Sequence, residues 1–486
     1  VFLRADERYS SMNESNTPGP PVRSQPRFGV ALIPLVAMGL LLGIGYGVYQ
    51  IRPQVLLVAA AFLTGCLGFF LHFSWKEMEK GIVDGIHKAM PAILIMLCVG
   101  VLIGAWIASG TIPMVIYYGL KLISPKFFLV TACFVCSLTS LATGTSWGTI
   151  GTLGVAFMGI AMGLGMPLGP AAGAIVAGAY FGDKLSPFSD VTNLAPVAAG
   201  SNLFDHIKHM MWSATPAWLI GLLVYFLVGL RYGDVQVETE RMTLITQTLK
   251  DNFHFNVLLL LPMAIVFYFA ATKKPTIPGM LLSSVAAGAL AVIFQHASIP
   301  EIATAVNTGY QASTGVEQVD NLISRGGMMS MMETQLVAFT AFSFGGIMQA
   351  TGLLSVILDR VMRFANRVSS IVLTTISAAI VTAMVTGSSY LSMIIPAELL
   401  APVYKKHNLA AKNLSRIIEE SGAIIVPLIP WSMAGVYITG TIGVPTLSYL
   451  PWAIMNYVSV LILAIFGFTG FSMAPRIRDD ETEIGS

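Results

Sequence analysis

The segment ATGTSW, residues 142–147, interrupts one long apolar tract, and the segment VTGSSY, residues 385–390, interrupts another. Their central glycines lie 243 residues apart (387 minus 144). The segments PFS at 187–189 and PWS at 430–432 are separated by the same interval. One structural plan therefore occurs twice. A membrane chain that repeats an interrupted segment is typical of a transporter whose site lies where broken helices meet.

The composition is that of a membrane protein. Apolar residues make up 55% of the 486-residue chain and charged residues only 11%, and the mean hydropathy is +0.74. About 20 apolar residues cross a bilayer once, so the charge-free tracts provide for about eleven to thirteen crossings. The sequence predicts an all-α, multi-pass protein of the cell membrane that contacts lipid and binds no nucleic acid.

A polar stretch at 231–252 divides the chain into a first transmembrane repeat, 28–230, and a second, 253–472. Short tails at 1–27 and 473–486 complete the predicted domain organisation. Because positive charge favours the cytoplasmic side, we expect both tails to be cytoplasmic and the net negative linker to lie outside.

Loop charges differ in sign between the two halves. The region after the second apolar segment of the first half carries Lys76, Lys80 and Lys88, whereas the equivalent region of the second half carries three acids and one arginine. Opposite bias at equivalent loops is expected of two repeats inserted upside-down to each other. Chance variation among a few loops is the alternative.

Cysteine and histidine usage predicts neither a cofactor nor an enzyme. The cysteines lie within apolar tracts and are interpreted as packing residues. The histidines lie at tract edges or in loops, so we expect none of them to form a buried metal site or a catalytic base. The chain also lacks the His-Glu-x-x-His pattern of metalloproteases. These residues are Cys66, Cys98, Cys133 and Cys136, and His72, His87, His206, His209, His254, His296 and His407.

The segment GDKLSPFSDVTN, residues 182–193, places polar side chains directly after a charge-free run that begins at 127. Pro187 removes a backbone donor and disfavours helix at Ser186, which frees carbonyl oxygens nearby. Irregular backbone persists at membrane depth only where protein buries it or it lines a cavity. We therefore expect an unwound segment facing an internal site.

Sodium prefers oxygen ligands, as other hard cations do. We expect Asp183 and Asp190 to lie deep in the membrane and to bind Na⁺. Neutralising either with Asn should abolish exchange. The alternative is that Asp183 and Lys184 form a surface pair while Asp190 caps the next helix. Further oxygen ligands predicted for this site are Thr145, Ser146, Thr149, Ser186, Ser189, Thr192 and Asn193.

The second half supplies a different set of polar residues, because it lacks a counterpart of the two aspartates. Arg416 precedes two glutamates by three and four residues, so one of them is expected to be its partner. The predicted second-repeat site comprises Ser388, Ser389, Glu420, Ser421 and Ser432. Four further ionisable residues either join the site or pair elsewhere, namely Glu333, Glu419, Lys184 and Arg416.

At Ala142–Thr149 and Gly178–Pro196 the chain resembles the NhaC family of sodium/proton antiporters, and the resemblance extends over about residues 28–472. It implies two inverted repeats, each with a re-entrant hairpin and a discontinuous helix that meet at the substrate site. It places the hairpin tips at Gly144–Thr149 and Gly387–Ser392, and the unwound points at Asp183–Asn193 and Pro427–Ser432.

The function predicted from these residues is secondary antiport, in which cytoplasmic Na⁺ and external H⁺ compete for a midplane carboxylate. Na⁺ and H⁺ are then substrates and no cofactor is required. A Na⁺/H⁺-coupled exchanger of an organic anion such as malate or lactate is the nearest rival, with Lys184 or Arg416 holding the carboxylate. A passive channel and an intramembrane enzyme are further alternatives, and the sequence leaves a homodimer open.

Overall fold

The computed structural model describes residues 26–46, 48–232 and 239–475. Helices are the regular elements of this part of the chain, with turns and loops between them and one isolated bridge between Leu409 and Pro475. The all-α prediction is confirmed for these residues. The predicted tails at 1–27 and 473–486 fall almost entirely outside them.

The helices of the first half run from α1 to α10. They are α1 (Phe28–Leu40), α2 (Pro53–Phe70), α3 (Trp75–Ala108), α4 (Thr111–Leu122), α5 (Pro125–Thr143), α6 (Ser146–Thr149), α7 (Val155–Gly163), α8 (Leu168–Leu185), α9 (Asp190–Ala199) and α10 (Leu203–Leu230). A π-helical segment, Leu41–Tyr46, continues α1, and a second one, Ile150–Gly154, joins α6 to α7.

The helices from the linker onward are numbered α11 to α23. They are α11 (Thr239–Asn252), α12 (Leu261–Ala271), α13 (Thr276–Gln295), α14 (Ile299–Asn307), α15 (Glu317–Ile323), α16 (Met332–Ala350), α17 (Leu353–Met362), α18 (Val368–Thr386), α19 (Ser389–Lys406), α20 (Ala411–Ile418), α21 (Met433–Ile442), α22 (Thr446–Tyr449) and α23 (Ile454–Thr469). Short 3-10 turns at Val257–Leu260, Met328–Met331, Val426–Leu428 and Leu450–Trp452 and a π-helical turn at Glu419–Ala423 connect some of them.

Eight of the described helices are long and apolar enough to cross a membrane. Four bent helix pairs, each with an angle above 40° at a short break, raise the number of candidate spans to as many as twelve. The predicted eleven to thirteen crossings overlap the upper end of this range. The chain is therefore a multi-pass membrane protein.

Small residues allow α5 and α8 to pack closely. A Cβ atom at Gly178 would lie 2.2 Å from the Cys133 carbonyl oxygen, and one at Gly182 would lie 2.1 Å from that of Ser137. Close backbone approach of this kind stabilises helix pairs in lipid, where the hydrophobic effect contributes little between helices. The buried Cys133 and Cys136 thus have the packing role predicted for them.

Each glycine break is a tight turn that packs against the helix break of its own half. Gly144 (φ 68°) ends α5 and Gly387 (φ 62°) ends α18, both in the left-handed conformation. A Cβ atom at Gly144 would lie 2.6 Å from the backbone carbon of Phe188, and one at Gly387 would lie 3.6 Å from the carbonyl oxygen of Trp431. Phe188 and Trp431 are again 243 residues apart (431 minus 188).

The two glycines should differ in their tolerance of alanine. Gly387→Ala would place Cβ 3.3 Å from Ser432 Cα and 3.4 Å from a Phe342 ring carbon, so a small shift of these neighbours adds to the left-handed strain of about 1–2 kcal/mol. Gly144→Ala adds a collision with the Phe188 backbone, worth a further 1–3 kcal/mol or so. Thermal unfolding of the two purified variants in detergent should therefore show the larger destabilisation for Gly144→Ala. Equal losses would contradict this.

Candidate functional site

Both predicted helix interruptions are present. In the first half α8 ends at Leu185 and α9 begins at Asp190, because Pro187 cannot donate in a helix and Ser186 adopts extended backbone (ψ 124°). The hydroxyl of Ser189 then caps the new helix by accepting from Thr192 N at 3.3 Å.

The second half is interrupted between α20 and α21. The π-helical turn is followed by a 3-10 turn that contains Pro427, and the two flanking helices are bent by 43°. Ser432 caps α21 by accepting from Gly435 N at 3.0 Å. Ser189 and Ser432, which cap the helices after the two breaks, are 243 residues apart (432 minus 189).

A cavity of about 240 Å³ lies between the two helix breaks and the turns at Gly144 and Gly387. Six of the predicted site residues line it: Thr145, Ser146, Lys184, Asp190, Ser389 and Glu419. Five polar or aromatic lining residues were not predicted as site residues: Lys88, Trp147, Tyr180, Thr276 and Tyr390. The repeated segments therefore meet around one internal space.

Asp183 lies beside this cavity and is 7% exposed. Its Oδ2 accepts a hydrogen bond of 2.7 Å from Ser146 Oγ, a cavity-lining hydroxyl. Its Oδ1 is buried and has no hydrogen-bond partner. Within the described ranges, no Lys, Arg or His forms an ion pair with Asp183. A buried carboxylate in this state is stabilised by binding a proton or a cation.

Asp190 is placed differently from Asp183, because its side chain is exposed and not enclosed by protein; that it lies deep in the membrane stays a prediction. Asp190 is exposed to the cavity, which it helps to line. Its Oδ2 accepts from the hydroxyl of Tyr390, and its Oδ1 accepts from Val191 N at 3.0 Å. Its position as the first residue of α9 favours a negative charge at the helix N-terminus.

Lys184 and Glu420 form a buried ion pair that joins the two helix breaks. Lys184 Nζ lies 2.7 Å from Glu420 Oε1, and the side chains are 4% and 0% exposed. The alternative of a surface pair between Asp183 and Lys184 is therefore wrong. The predicted pairing of Arg416 with a neighbouring glutamate is also wrong, because its guanidinium donates to the hydroxyl (2.8 Å) and carbonyl (2.9 Å) oxygens of Ser472.

His206 lies near the start of α10 and is fully buried. Its Nε2 lies 2.8 Å from Glu419 Oε2, and its Nδ1 lies 2.9 Å from Ser415 Oγ. His209, one turn further along α10, is buried as well and contacts Asn413 Oδ1 at 2.9 Å. The contact between His206 and the cavity-lining carboxylate of Glu419 was not predicted from the sequence.

The predicted hydroxyl and amide ligands mostly hold local backbone groups. Their hydrogen-bond partners include Gly148 N for Thr145, Thr145 O for Thr149, Phe188 N for Ser186, Pro187 O for Asn193, Leu391 N for Ser388, Ile417 O for Ser421 and Val426 O for Ser432. Thr192 is an exception, because its Oγ1 lies 3.2 Å from both Asp183 O and Glu419 Oε1. Whether these groups also bind an ion stays a prediction.

Glu333 does not belong to the cavity lining. It is exposed and lies 2.8 Å from Arg52 Nη1. Of the two alternatives for Glu333, the structure supports pairing outside the site.

The candidate membrane spans define a multi-pass membrane protein. The two helix breaks around one cavity give it an internal polar site. The family model of the Na⁺/H⁺ antiporter family matches residues 26–179 and 178–471. The chain therefore belongs to the Na⁺/H⁺ antiporter family, and the resemblance to the NhaC family is confirmed.

Several relatives cover most of the chain. An uncharacterized Na⁺/H⁺ antiporter of Haemophilus influenzae is 44% identical over 450 residues, which are 91% of this chain and 96% of the relative. The malate-2H⁺/Na⁺-lactate antiporter of Bacillus subtilis is 35% identical over 441 residues (90% and 94%). The Na⁺/H⁺ antiporter NhaC of Alkalihalophilus pseudofirmus is 34% identical over 428 residues (88% and 92%). These relatives are transporters and not enzymes.

Proposed function

We propose that this protein exchanges cytoplasmic Na⁺ for external H⁺ at Asp183. The observation that carries the proposal is a buried carboxylate that has one unpartnered oxygen and no ion-pair partner in the described part of the chain. Either a proton or Na⁺ compensates its charge, and the two cannot bind the same oxygen at once. Competition of this kind couples the movement of one ion to the other.

The chemistry around Asp183 supports sodium as the competing ion. Sodium would take Asp183 Oδ1 together with neutral oxygens such as the Ser146 hydroxyl. No group of three or more His, Cys, Asp or Glu side chains among the described residues is arranged to hold a metal ion, and a weakly held monovalent cargo does not require such a cluster. Asp190 would attract cations to the cavity surface without enclosing them.

We further propose the inverted-repeat arrangement, with repeats at 28–230 and 253–472 and cytoplasmic tails. Two features support it. First, the contact between a glycine turn and a helix break recurs at the same interval in both halves. Second, Lys88 and Thr276 line the cavity, and Thr276 follows a loop that contains lysines. Lys273 of this loop places its Nζ 4.9 Å from the Phe188 ring. Because lysine-rich loops favour the cytoplasm, the cavity would open inward and admit cytoplasmic Na⁺.

Exchange of an organic anion is the second candidate function. A cavity of about 240 Å³ is larger than a single ion needs, since one water occupies about 30 Å³. Lys88 lines it and forms no ion pair with any described residue, so it is better placed than Arg416 to hold a carboxylate. One relative is a malate-2H⁺/Na⁺-lactate antiporter.

Transport by the purified protein in proteoliposomes tests both candidates. We expect an imposed Na⁺ gradient, with no organic anion present, to drive protons in the opposite direction against their own gradient. Li⁺ and K⁺ offered alone give the cation selectivity. A strict requirement for malate or lactate would contradict simple Na⁺/H⁺ exchange and favour the second candidate. Dissipation of gradients without uphill exchange would indicate a passive channel.

A further inference from the structure

The buried contact between Glu419 and His206 is not needed to bind an ion at Asp183. Glu419 lies in the cavity wall and is 1% exposed, and His206 lies behind it and is 0% exposed. The His206 ring bridges Glu419 Oε2 at 2.8 Å and Ser415 Oγ at 2.9 Å. An ionisable pair with one member on the cavity and the other fully enclosed can exchange protons with cavity water alone.

The hydrogen bonds around His206 accommodate two protonation states. If the Ser415 hydroxyl donates to the Lys412 carbonyl, 3.1 Å away, His206 Nδ1 must carry the proton in its contact with Ser415. The Nε2–Oε2 contact then requires a second proton, shared with Glu419. If the Ser415 hydroxyl turns to donate to Nδ1, a single ring proton on Nε2 satisfies Glu419. The two states differ by one proton and one hydroxyl rotation.

We propose that the Glu419–His206 pair binds a second transported proton, separate from the one that competes with Na⁺ at Asp183. This inference rests on the proposed Na⁺/H⁺ exchange. In the loaded state an imidazolium faces a carboxylate and the pair is neutral. In the unloaded state a neutral imidazole faces the carboxylate and the pair carries one negative charge. The proton passes between Glu419 and cavity water, and no covalent bond other than N–H or O–H changes.

Thr192 connects this pair to the aspartate site. Its hydroxyl lies 3.2 Å from Glu419 Oε1 and 3.2 Å from the Asp183 carbonyl oxygen, so it can donate to one of them at a time. Sodium that replaces the proton of Asp183 leaves the charge there unchanged, so the Thr192 hydroxyl carries the coupling. When this hydroxyl donates to Glu419 Oε1 it stabilises the carboxylate of the unloaded pair, and when it donates to the Asp183 carbonyl it does not. A sodium ion that takes the Asp183 carbonyl oxygen as a ligand therefore turns the hydroxyl toward Glu419 and favours release of the second proton.

Other ionisable groups surround the pair. Lys184 and Glu420 neutralise each other, whereas Arg416 contacts Ser472. The remaining acidic and basic side chains on His206's own helix and on the helices packed against it are Asp183, Asp190, Lys412, His209, Asp205, Lys208 and Lys126; the same helices also carry Tyr180, Tyr225, Tyr457, Cys133 and Cys136. Helix α19, which packs against the turn that carries Glu419, adds Tyr390, Glu398, Tyr404, Lys405 and Lys406.

The number of protons per Na⁺ can be measured from the gradients at which exchange stops. Proteoliposomes are clamped at zero voltage with K⁺ and valinomycin, a tenfold proton gradient is imposed, and the Na⁺ gradient is varied until net flux vanishes. For two protons per Na⁺ the balancing Na⁺ gradient is about a hundredfold, and for one proton it is about tenfold. We expect about a hundredfold for the unmodified protein and about tenfold for His206→Gln.

His209→Gln is the matched control. His209 is a buried histidine on the same helix, but its partner is the amide of Asn413 and not a carboxylate. It should retain the balance point of the unmodified protein. A tenfold balance point in the unmodified protein, or one that His206→Gln leaves unchanged, would overturn the proposal.

Proton release gives a second measurement that does not depend on transport. Adding Na⁺ to the purified protein in weakly buffered detergent solution should release two protons per Na⁺ bound, and one in His206→Gln or Glu419→Gln. An equal number in the variants and the unmodified protein would overturn the second proton site. Loss of Na⁺ binding itself is the result expected of Asp183→Asn, so failure of the aspartate site and failure of the pair are distinguishable.

Discussion

Asp183→Asn is expected to abolish Na⁺-driven proton movement. Asparagine keeps the size of the side chain and can still accept from Ser146 Oγ, 2.7 Å from Oδ2 in the native protein. It cannot balance a buried cation, however, and leaving a buried charge without its partner costs about 3–5 kcal/mol. Na⁺ affinity should therefore fall at least about a hundredfold. Na⁺-dependent proton flux in proteoliposomes and Na⁺ binding to the purified protein measure the loss.

Asp190→Asn is the matched variant for this experiment. Asp190 lies on the exposed side of the cavity with the Tyr390 hydroxyl as a partner. Because water screens its charge, the effect on Na⁺ affinity should stay within about 1 kcal/mol, less than about tenfold. Native Na⁺ dependence in Asp183→Asn would remove the basis of the proposed site, and an equal loss in both variants would show that Asp190 binds the ion as closely.

Breaking the Lys184–Glu420 pair is expected to cause the largest loss of stability. Lys184→Met leaves a carboxylate, and Glu420→Gln leaves an ammonium group, without its partner in a place that is almost fully buried. Either change should lower the free energy of unfolding by about 3–5 kcal/mol. The effect is measured by heating the purified variants in detergent and recording the fraction of protein that remains monodisperse at each temperature.

Two controls make this measurement specific. The double variant Lys184→Met with Glu420→Leu removes both charges and should recover most of the lost stability, because apolar replacements of a buried pair are often neutral. Glu333→Gln breaks the pair with Arg52, whose side chains are 72% (Arg52) and 59% (Glu333) exposed, and should change stability by at most about 1 kcal/mol. A double variant no more stable than the single ones would contradict the interpretation.

The sequence predicted the interruptions at the two glycines and the helix breaks because the features that cause them are local. A glycine in the left-handed conformation at 144 and 387 and a proline at 187 and 427 each determine the backbone within a few residues. The two glycines are 243 residues apart (387 minus 144), and so are the two serines that cap the helices after the breaks (432 minus 189), which indicates that one plan is repeated. The cavity could be anticipated because irregular backbone inside a membrane needs a polar or buried setting.

The pairing of charged residues could not be predicted in the same way. Lys184 and Glu420 are 236 residues apart, and His206 and Glu419 are 213 apart. Sequence spacing reports only neighbours on one helix, so Arg416 was assigned a glutamate one turn away. A further signal was present in α10, where His206 and His209 share a face with the buried Met210, Ser213 and Ala214. Histidines that continue a stripe of buried residues are expected to be buried too.

The contact between each glycine turn and its helix break also explains why some stretches have the same length in both halves of the chain and others do not. From Gly144 to Phe188 and from Gly387 to Trp431 the distance along the chain is the same 44 residues (188 minus 144 and 431 minus 387). These stretches act as spacers of fixed length, since one added residue would turn the following helix face by about 100°. The capping boxes at Ser74 and Ser298 are only 224 residues apart (298 minus 74). The second half therefore carries its extra residues between Ser298 and Gly387, upstream of the glycine turn, where no contact requires a fixed chain length.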